Sequence, residues 1–313
     1  MARHRVSDVF ITLQQRIPAL SNAERHVAES VIEHPALVID STITELAAAC
    51  DTSTATVTRM CRAVGFSGYK EFRMAVAAAN SRDEASRERF QVSDAEISPK
   101  DSLADVVAKV AYQEARAIEE TAREIDLVAL DAVVDAIRVA PRIDIYGASS
   151  SGLTAQDLQL KLHRIGIPGF CWSDAHLALT SAAITTPGSA AIAISHAGAT
   201  LEANQLLQVA GARGAVTVAI TNHPESPLGL AADYVLATST REARFRTGAM
   251  SSRLAQMAIV DFIVVRLVQR DYAGASELLR STFEAVQAHR LDGAADATRS
   301  ARGDSRRAGT PSD

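Results

Sequence analysis

From Arg142 onward, short β-branched runs alternate with longer helical stretches, and this constrains the fold more than any other feature of the chain. The runs IDIY (143–146), AAIAIS (190–195), AVTVAIT (215–221) and YVLAT (234–238) read as buried strands. Between and after them, DLQLKLHRI (157–165), LEANQLLQVAGA (201–212) and the segment 248–268 carry helical spacing. Strands that alternate with helices form a parallel sheet covered on both faces. The expected fold for this part is therefore a doubly wound α/β sandwich. Aromatic residues are only 4% of the chain, so its layers must pack mainly through small and aliphatic side chains.

The rest of the chain follows a different rule. Val9, Leu13 and Ile17, and then Val27, Val31 and Ile32, recur at helical spacing, so the N-terminal region reads as all-α. Ser21 followed by Glu24 is a capping-box pattern that starts a helix, and Pro35 marks its end. A length of 313 residues suits two domains. The expected division is a helical domain over 1–80, a linker over 81–105, an α/β domain over 106–290 and a disordered tail over 291–313. The charged stretch SRDEASRERF and the turn-forming VSDAEISPKDS read together as an exposed helix end plus an interdomain linker. From Leu103 to Ile125 an amphipathic helix is expected, with Val106, Val107, Val110 and Ile118 on one side.

Several functions are excluded. MARHRVSDVF has no long apolar run behind its basic start, so it does not read as a secretory signal. Met257–Val268 is too short to span a bilayer and carries Asp261 and Arg266. A cytoplasmic protein with no membrane partner is expected. Cys50, Cys61 and Cys171 fit no zinc spacing and read as buried free thiols. No metal and no cofactor is expected. The net charge of −5 means that any nucleic-acid surface must be local.

Such a surface has a place to form. In TITELAAACDTSTATVTRMCRAV (42–64), Ile43, Leu46, Ala47 and Cys50 share one face of a short helix. Asp51 and Thr52 make a turn, and Ser53 is a natural N-cap for a second helix with Val57, Cys61 and Val64 on its core stripe. Two short helices joined tightly present the start of the second to a DNA major groove. The candidate DNA-binding residues are Ser53, Thr54, Thr56, Thr58, Arg59 and Arg62: small hydroxyls for close approach, arginines for guanine edges or phosphates. Arg59, Arg62, Lys70 and Arg73 against Glu71 make a positive stretch in an acidic chain.

A second set of candidates lies in the α/β part. Gly147-Ala148-Ser149-Ser150-Ser151-Gly152 and Ser195-His196-Ala197-Gly198-Ala199-Thr200 both follow strands and precede helices. Backbone N–H groups and helix dipoles favour anions there, glycine allows close approach and hydroxyls complete the shell. GASSSG lacks the spacing of a dinucleotide fingerprint and has no P-loop lysine. His196 fits a pocket-lining role better than a catalytic one. Glu242, with Arg241, Arg244 and Arg246 nearby, follows the last strand; these arginines suit either a phosphate or the open surface.

Taken in this order, the motifs resemble the RpiR family of regulators, in which a helix-turn-helix precedes a sugar isomerase (SIS) domain. The resemblance runs from about Ile11 to about Val268. It is carried by SNAERHVAESVIEHP, STATVTRMCRAVGFSGYKEFR, IYGASSSGLTAQDLQLKLHRIG, SDAHL, ISHAGATLEA and FRTGAMSSRLAQMAIVD. It implies that Ser150 and Ser151 line one phosphate loop, and that Ser195 and Thr200 line the other, with Gly198 permitting the approach. His196 and Glu242 are the candidates facing the sugar. Ala197 stands where such domains commonly have a second serine, and Ser149 where a glycine is usual. The implied function is a non-enzymatic transcription regulator whose affinity for double-stranded DNA is controlled by a phosphorylated sugar. The implied assembly is a homodimer or tetramer. The alternatives are a sugar-phosphate isomerase, which would need a general base such as His196 or Glu242, and a ligand-free scaffold.

Overall fold

The computed structural model describes residues 8–241 and 250–287. Glu242, Arg244, Arg246 and the expected tail over 291–313 lie outside the described residues.

The N-terminal part is helical, as its periodicity requires. Helices α1 (Val9–Arg16), α2 (Asn22–Glu33), α3 (Ala36–Ile39), α4 (Ile43–Ala49), α5 (Thr54–Ala63) and α6 (Tyr69–Phe90) enclose one core. That core contains Leu13, Val27, Val31, Leu46, Val57, Met60, Cys61, Phe72 and Val76. The Ser21–Glu24 box is present, with the Ser21 N–H donating to Glu24 at 3.1 Å. Ser81–Phe90 forms a helix end, continuing α6 for more than two turns. The non-helical connection is 91–102.

Then come α7 (Leu103–Glu124), α8 (Leu127–Val139) and the sheet. Strands β1 (Ile143–Gly147), β2 (Gly169–Trp172), β3 (Ala190–Ile194), β4 (Val216–Thr221) and β5 (Tyr234–Ala237) pair in parallel in the order β2-β1-β3-β4-β5. Helices α9 (Ser150–Arg164), α10 (Ala175–Ala183), α11 (Leu201–Ala212), α12 (Pro227–Leu230), α13 (Met250–Arg270) and α14 (Tyr272–Gln287) complete the chain. Alternation along each strand sorts residues by size. Ile143, Ile145, Ile192, Ile194, Val218 and Ile220 face one layer with α8, α9 and α13. Tyr146, Ala191, Ala193 and Ala219 face the other, with α10 and α11. Alanine on that second face lets the helices approach the sheet closely, which is how so few aromatic residues suffice.

The expected stripe of α7 is not its packed face. Val107 and Ile118 are exposed, and the buried positions are Lys109, Tyr112, Ala117, Glu120 and Thr121. Helix α7 packs chiefly on α13, and it also meets α6 through charge. The Asp83 carboxylate of α6 accepts from the Tyr112 hydroxyl and from the guanidinium groups of Arg87 and Arg116. Lys109 donates to Asp101 at 2.8 Å. Buried charges must be paired to be tolerated, and these are. Helix α13 covers the sheet, with Ala255, Ile259, Val260 and Ile263 fully buried.

Candidate effector site and nucleic-acid interface

The chain leaves β1 toward β2 on one side and returns across the sheet to β3 on the other. The order of winding therefore reverses between β1 and β3, the place where open α/β sheets of this kind form a crevice outside the strand ends. Gly147 is paired with Ile194, so the two glycine- and hydroxyl-rich loops leave adjacent strands side by side.

The first loop is drawn tight. A Cβ on Gly147 would lie 2.5 Å from the Ser151 carbonyl oxygen, so only glycine fits. Ser149 adopts φ +53° and ψ −123°, a conformation favoured by glycine. Ser150 opens α9. The Ser151 hydroxyl lies 3.3 Å from Gln256 Oε1, and that of Thr154 lies 3.4 Å from the same oxygen. Gln256 is buried on α13 and braces the loop from below.

In the second loop, Gly198 has φ +64° and is pressed against Ser226. Buried Ser195 and half-buried Thr200 share a hydroxyl–hydroxyl hydrogen bond of 2.9 Å across the loop. The His196 carbonyl accepts from the Asn222 N–H (3.0 Å) and the Thr221 hydroxyl (3.1 Å). Its ring stands edge-on to His223 at 6.0 Å.

The helix starts differ in a telling way. Helices α7, α8 and α10 are closed by the side chains of Ser102, Asp126 and Asp174. Helices α9 and α11, which begin in the crevice, have Ser149 and Thr200 at the capping position with no side-chain cap. In α9 the Ser151 and Gly152 N–H groups donate instead to the Ala148 and Ser149 carbonyls at 3.1 and 3.0 Å. A helix start without a side-chain cap is the kind of place where an anion is favoured.

The two-helix unit is also assembled. The Ser53 hydroxyl caps α5, accepting from the Thr56 N–H at 3.2 Å. Asp51, at φ +45°, makes the turn before it. Thr54, Arg59 and Arg62 are exposed and share a shallow groove with Ile43, Thr44, Ala55 and half-buried Thr58. Thr56 is placed differently. It is buried, it bonds Ser53 at 3.0 Å, and its hydroxyl accepts from Arg59 at 3.1 Å. Glu24 accepts from the same guanidinium at 3.2 Å. Thr56 and Glu24 thus orient Arg59.

Burial pushes the Cys61 thiol up to about 12; Cys50 is also buried and Cys171 partly so. Among the described residues no group of three side chains suited to a metal occurs, and no helix is long and apolar enough to cross a membrane.

A helix-turn-helix joined to a parallel sheet with two hydroxyl loops at its switch point defines a class, DNA-binding regulators that carry a SIS domain. Residues 8–83 match the helix-turn-helix domain of the rpiR family, and residues 136–266 match the SIS domain. The chain belongs to the RpiR family of transcriptional regulators. It is 33% identical over 287 residues to an uncharacterized HTH-type transcriptional regulator of Caldanaerobacter subterraneus, covering 92% of this chain and all of that one. Its fold is similar to that of the Vibrio vulnificus NanR protein complexed with ManNAc-6P. That likeness has a TM-score of 0.56 at 29% identity, over 90% of this chain and 100% of the other. The sugar isomerase domain of an RpiR transcription factor from Sphaerobacter thermophilus shares the fold, with a TM-score of 0.53 at 23% identity over 57% of this chain and 98% of that one.

Proposed function

We propose that a phosphorylated sugar binds in the crevice between β1 and β3 and sets the affinity of the helix-turn-helix for DNA. The observation that carries this reading is the pair of uncapped helix starts, each behind a hydroxyl-rich loop, on adjacent strands. The phosphate takes N–H groups of α9 and α11 and the hydroxyls of Ser150, Ser151, Ser195 and Thr200, with Gly198 keeping the approach open. His196 faces the sugar. An amino-sugar phosphate is the first ligand to test, because NanR was solved with one. Ala197 contributes no hydroxyl, so the remaining serines carry more of the binding.

In this reading, residues up to about 80 read DNA, 106–290 sense the effector and 81–105 join them, with α6 giving the join a rigid start. Thr54, Thr58, Arg59 and Arg62 meet DNA, and Ser53 and Thr56 shape the helix that presents them. The protein works in the cytoplasm as a homo-oligomer, since two-fold symmetry lets two helix-turn-helix units read two half-sites. It binds its sugar without converting it.

Calorimetry against glucose 6-phosphate, ribose 5-phosphate, N-acetylmannosamine 6-phosphate and their unphosphorylated forms tests the site. Binding is expected only with the phosphate present, and Ser195→Ala should weaken it by about 1.5–3 kcal/mol, the worth of a hydrogen bond to a charged acceptor. Equal binding of a sugar and its phosphate contradicts the cradle. Isomerised product in the same mixtures contradicts the regulatory reading and favours an enzyme.

A further inference from the structure

Besides the two loops, the strand ends carry a third connection that leads to the DNA-binding part. It centres on Asn222, just after β4, which is 3% exposed. Its backbone N–H holds the His196 carbonyl of the second hydroxyl loop at 3.0 Å. Its side-chain oxygen accepts from the Thr240 N–H (2.9 Å), the Thr240 hydroxyl (3.1 Å) and the Thr238 hydroxyl (3.3 Å), fixing the segment after β5. Its backbone carbonyl accepts from the side-chain amide of Gln15, on α1.

Helix α1 is held at both ends by this edge of the sheet. At its C-terminal end, the Arg16 guanidinium forks onto the Glu225 carboxylate with two bonds of 2.6 Å. At its start, Arg241 donates to the Asp8 carboxylate at 3.1 and 3.3 Å and lies 4.3 Å over the Phe10 ring. Asp8 in turn caps α1, accepting from the Phe10 N–H at 2.9 Å. Val9, Phe10 and Leu13 belong to the core that contains α4 and α5, so α1 is an integral part of the helix-turn-helix domain.

We infer that the 222–225 loop is the element that couples the effector site to the DNA-binding domain, and that Gln15, Arg16 and Glu225 are the positioning residues that make the connection. This rests on the proposed function of the crevice. A phosphate held by Ser195 and Thr200 fixes the 195–200 loop. That loop is bonded to Asn222 through the His196 carbonyl and packed on Ser226 through Gly198. Any shift of the loop therefore moves the acceptors that hold α1. The contacts suit a switch more than a structural joint. Arg16 is partly and Glu225 largely exposed, with 42% and 68% of their side-chain surface open. An exposed pair adds little to stability, so it can form and break as the equilibrium shifts.

The test uses full-length protein and labelled DNA from upstream of its own gene. DNA affinity is measured by anisotropy with and without saturating glucose 6-phosphate, ribose 5-phosphate or N-acetylmannosamine 6-phosphate. The variants are Gln15→Ala, Arg16→Glu, Glu225→Arg and the double swap of Arg16 and Glu225. In the wild type the effective sugar should change DNA affinity by roughly 5- to 150-fold. In each single variant that ratio should fall toward one while both DNA and sugar still bind, and thermal stability should hardly move. The double swap, which restores an ion pair of opposite polarity, should recover the ratio. Single variants that keep the wild-type ratio overturn the inference and leave the effector site standing. Variants that lose DNA or sugar binding outright also overturn it, because the residues would then be structural. A wild-type ratio of one for every sugar overturns the proposed function and this inference together.

Discussion

Ser149 shows how much one residue can reveal. Its backbone takes a conformation that glycine holds without strain. The strain of a non-glycine residue there is about 1–3 kcal/mol, partly offset because serine orders more cheaply than glycine. Ser149→Gly should therefore raise stability by roughly 1 kcal/mol in urea denaturation, with sugar-phosphate affinity kept. An unchanged or lower midpoint would mean that the loop is relaxed as it stands. Glu124 gives a second test. Burial first, then the carboxylates of Glu120 and Asp8, raise its carboxyl to about 7, from an ordinary value of 4.5. Between those values the folded chain binds the extra proton, so stability contributed by this group is lost as pH rises through the window. Glu124→Gln should remove that loss, and denaturation midpoints at the two ends of the window measure it; identical pH dependence in both proteins contradicts the assignment. At this scale the sequence revealed residue types and not their directions. Thr56 looks like its neighbours in TATVTR, yet helical rotation turns it inward to hold Arg59. Gln256 lay inside the motif FRTGAMSSRLAQMAIVD but gave no sign that it braces the first loop, because that contact joins residues 105 apart.

At the scale of elements, strong local signals were readable and long-range ones were not. The three central strands, β1, β3 and β4, are β-branched or alanine-rich and buried along most of their length, so their pattern survives without the fold. Strand β2 is an edge strand of four residues with exposed Phe170, and GFCW carries no periodic signature. Helix α7 misled for a different reason. Its apolar stripe was read correctly as a stripe, but the face that packs is the one turned to α13 and to Asp83 of α6, partners that local periodicity does not show. Helix α5 was legible down to its cap. Removing that cap with Ser53→Ala should cost about 1 kcal/mol of stability. It should weaken DNA binding without affecting sugar binding, because the cap fixes the turn that presents Thr54 and places Thr56 under Arg59. Thermal unfolding and mobility shift on the same preparation check both parts; intact DNA affinity would show that the groove forms without the cap.

At the scale of the whole molecule, the fold brings α1 of the helical domain against the sheet edge beside the second hydroxyl loop. The helix-turn-helix and the hydroxyl loops were visible as separate motifs, each with a chemistry of its own. Their connection was not, since Gln15 and Asn222 are ordinary residues until the sheet edge and α1 meet. Regulation belongs at this scale, because coupling between sites is a property of both together and is reciprocal. The most direct measurement is therefore the affinity of full-length protein for its own upstream DNA, titrated with a phosphorylated sugar and, in parallel, with the same sugar lacking phosphate. The account predicts that one of the phosphosugars shifts DNA affinity by roughly 5- to 150-fold and that its unphosphorylated form leaves it unchanged. DNA affinity that is the same with and without every phosphosugar, or that responds equally to the bare sugars, would contradict it.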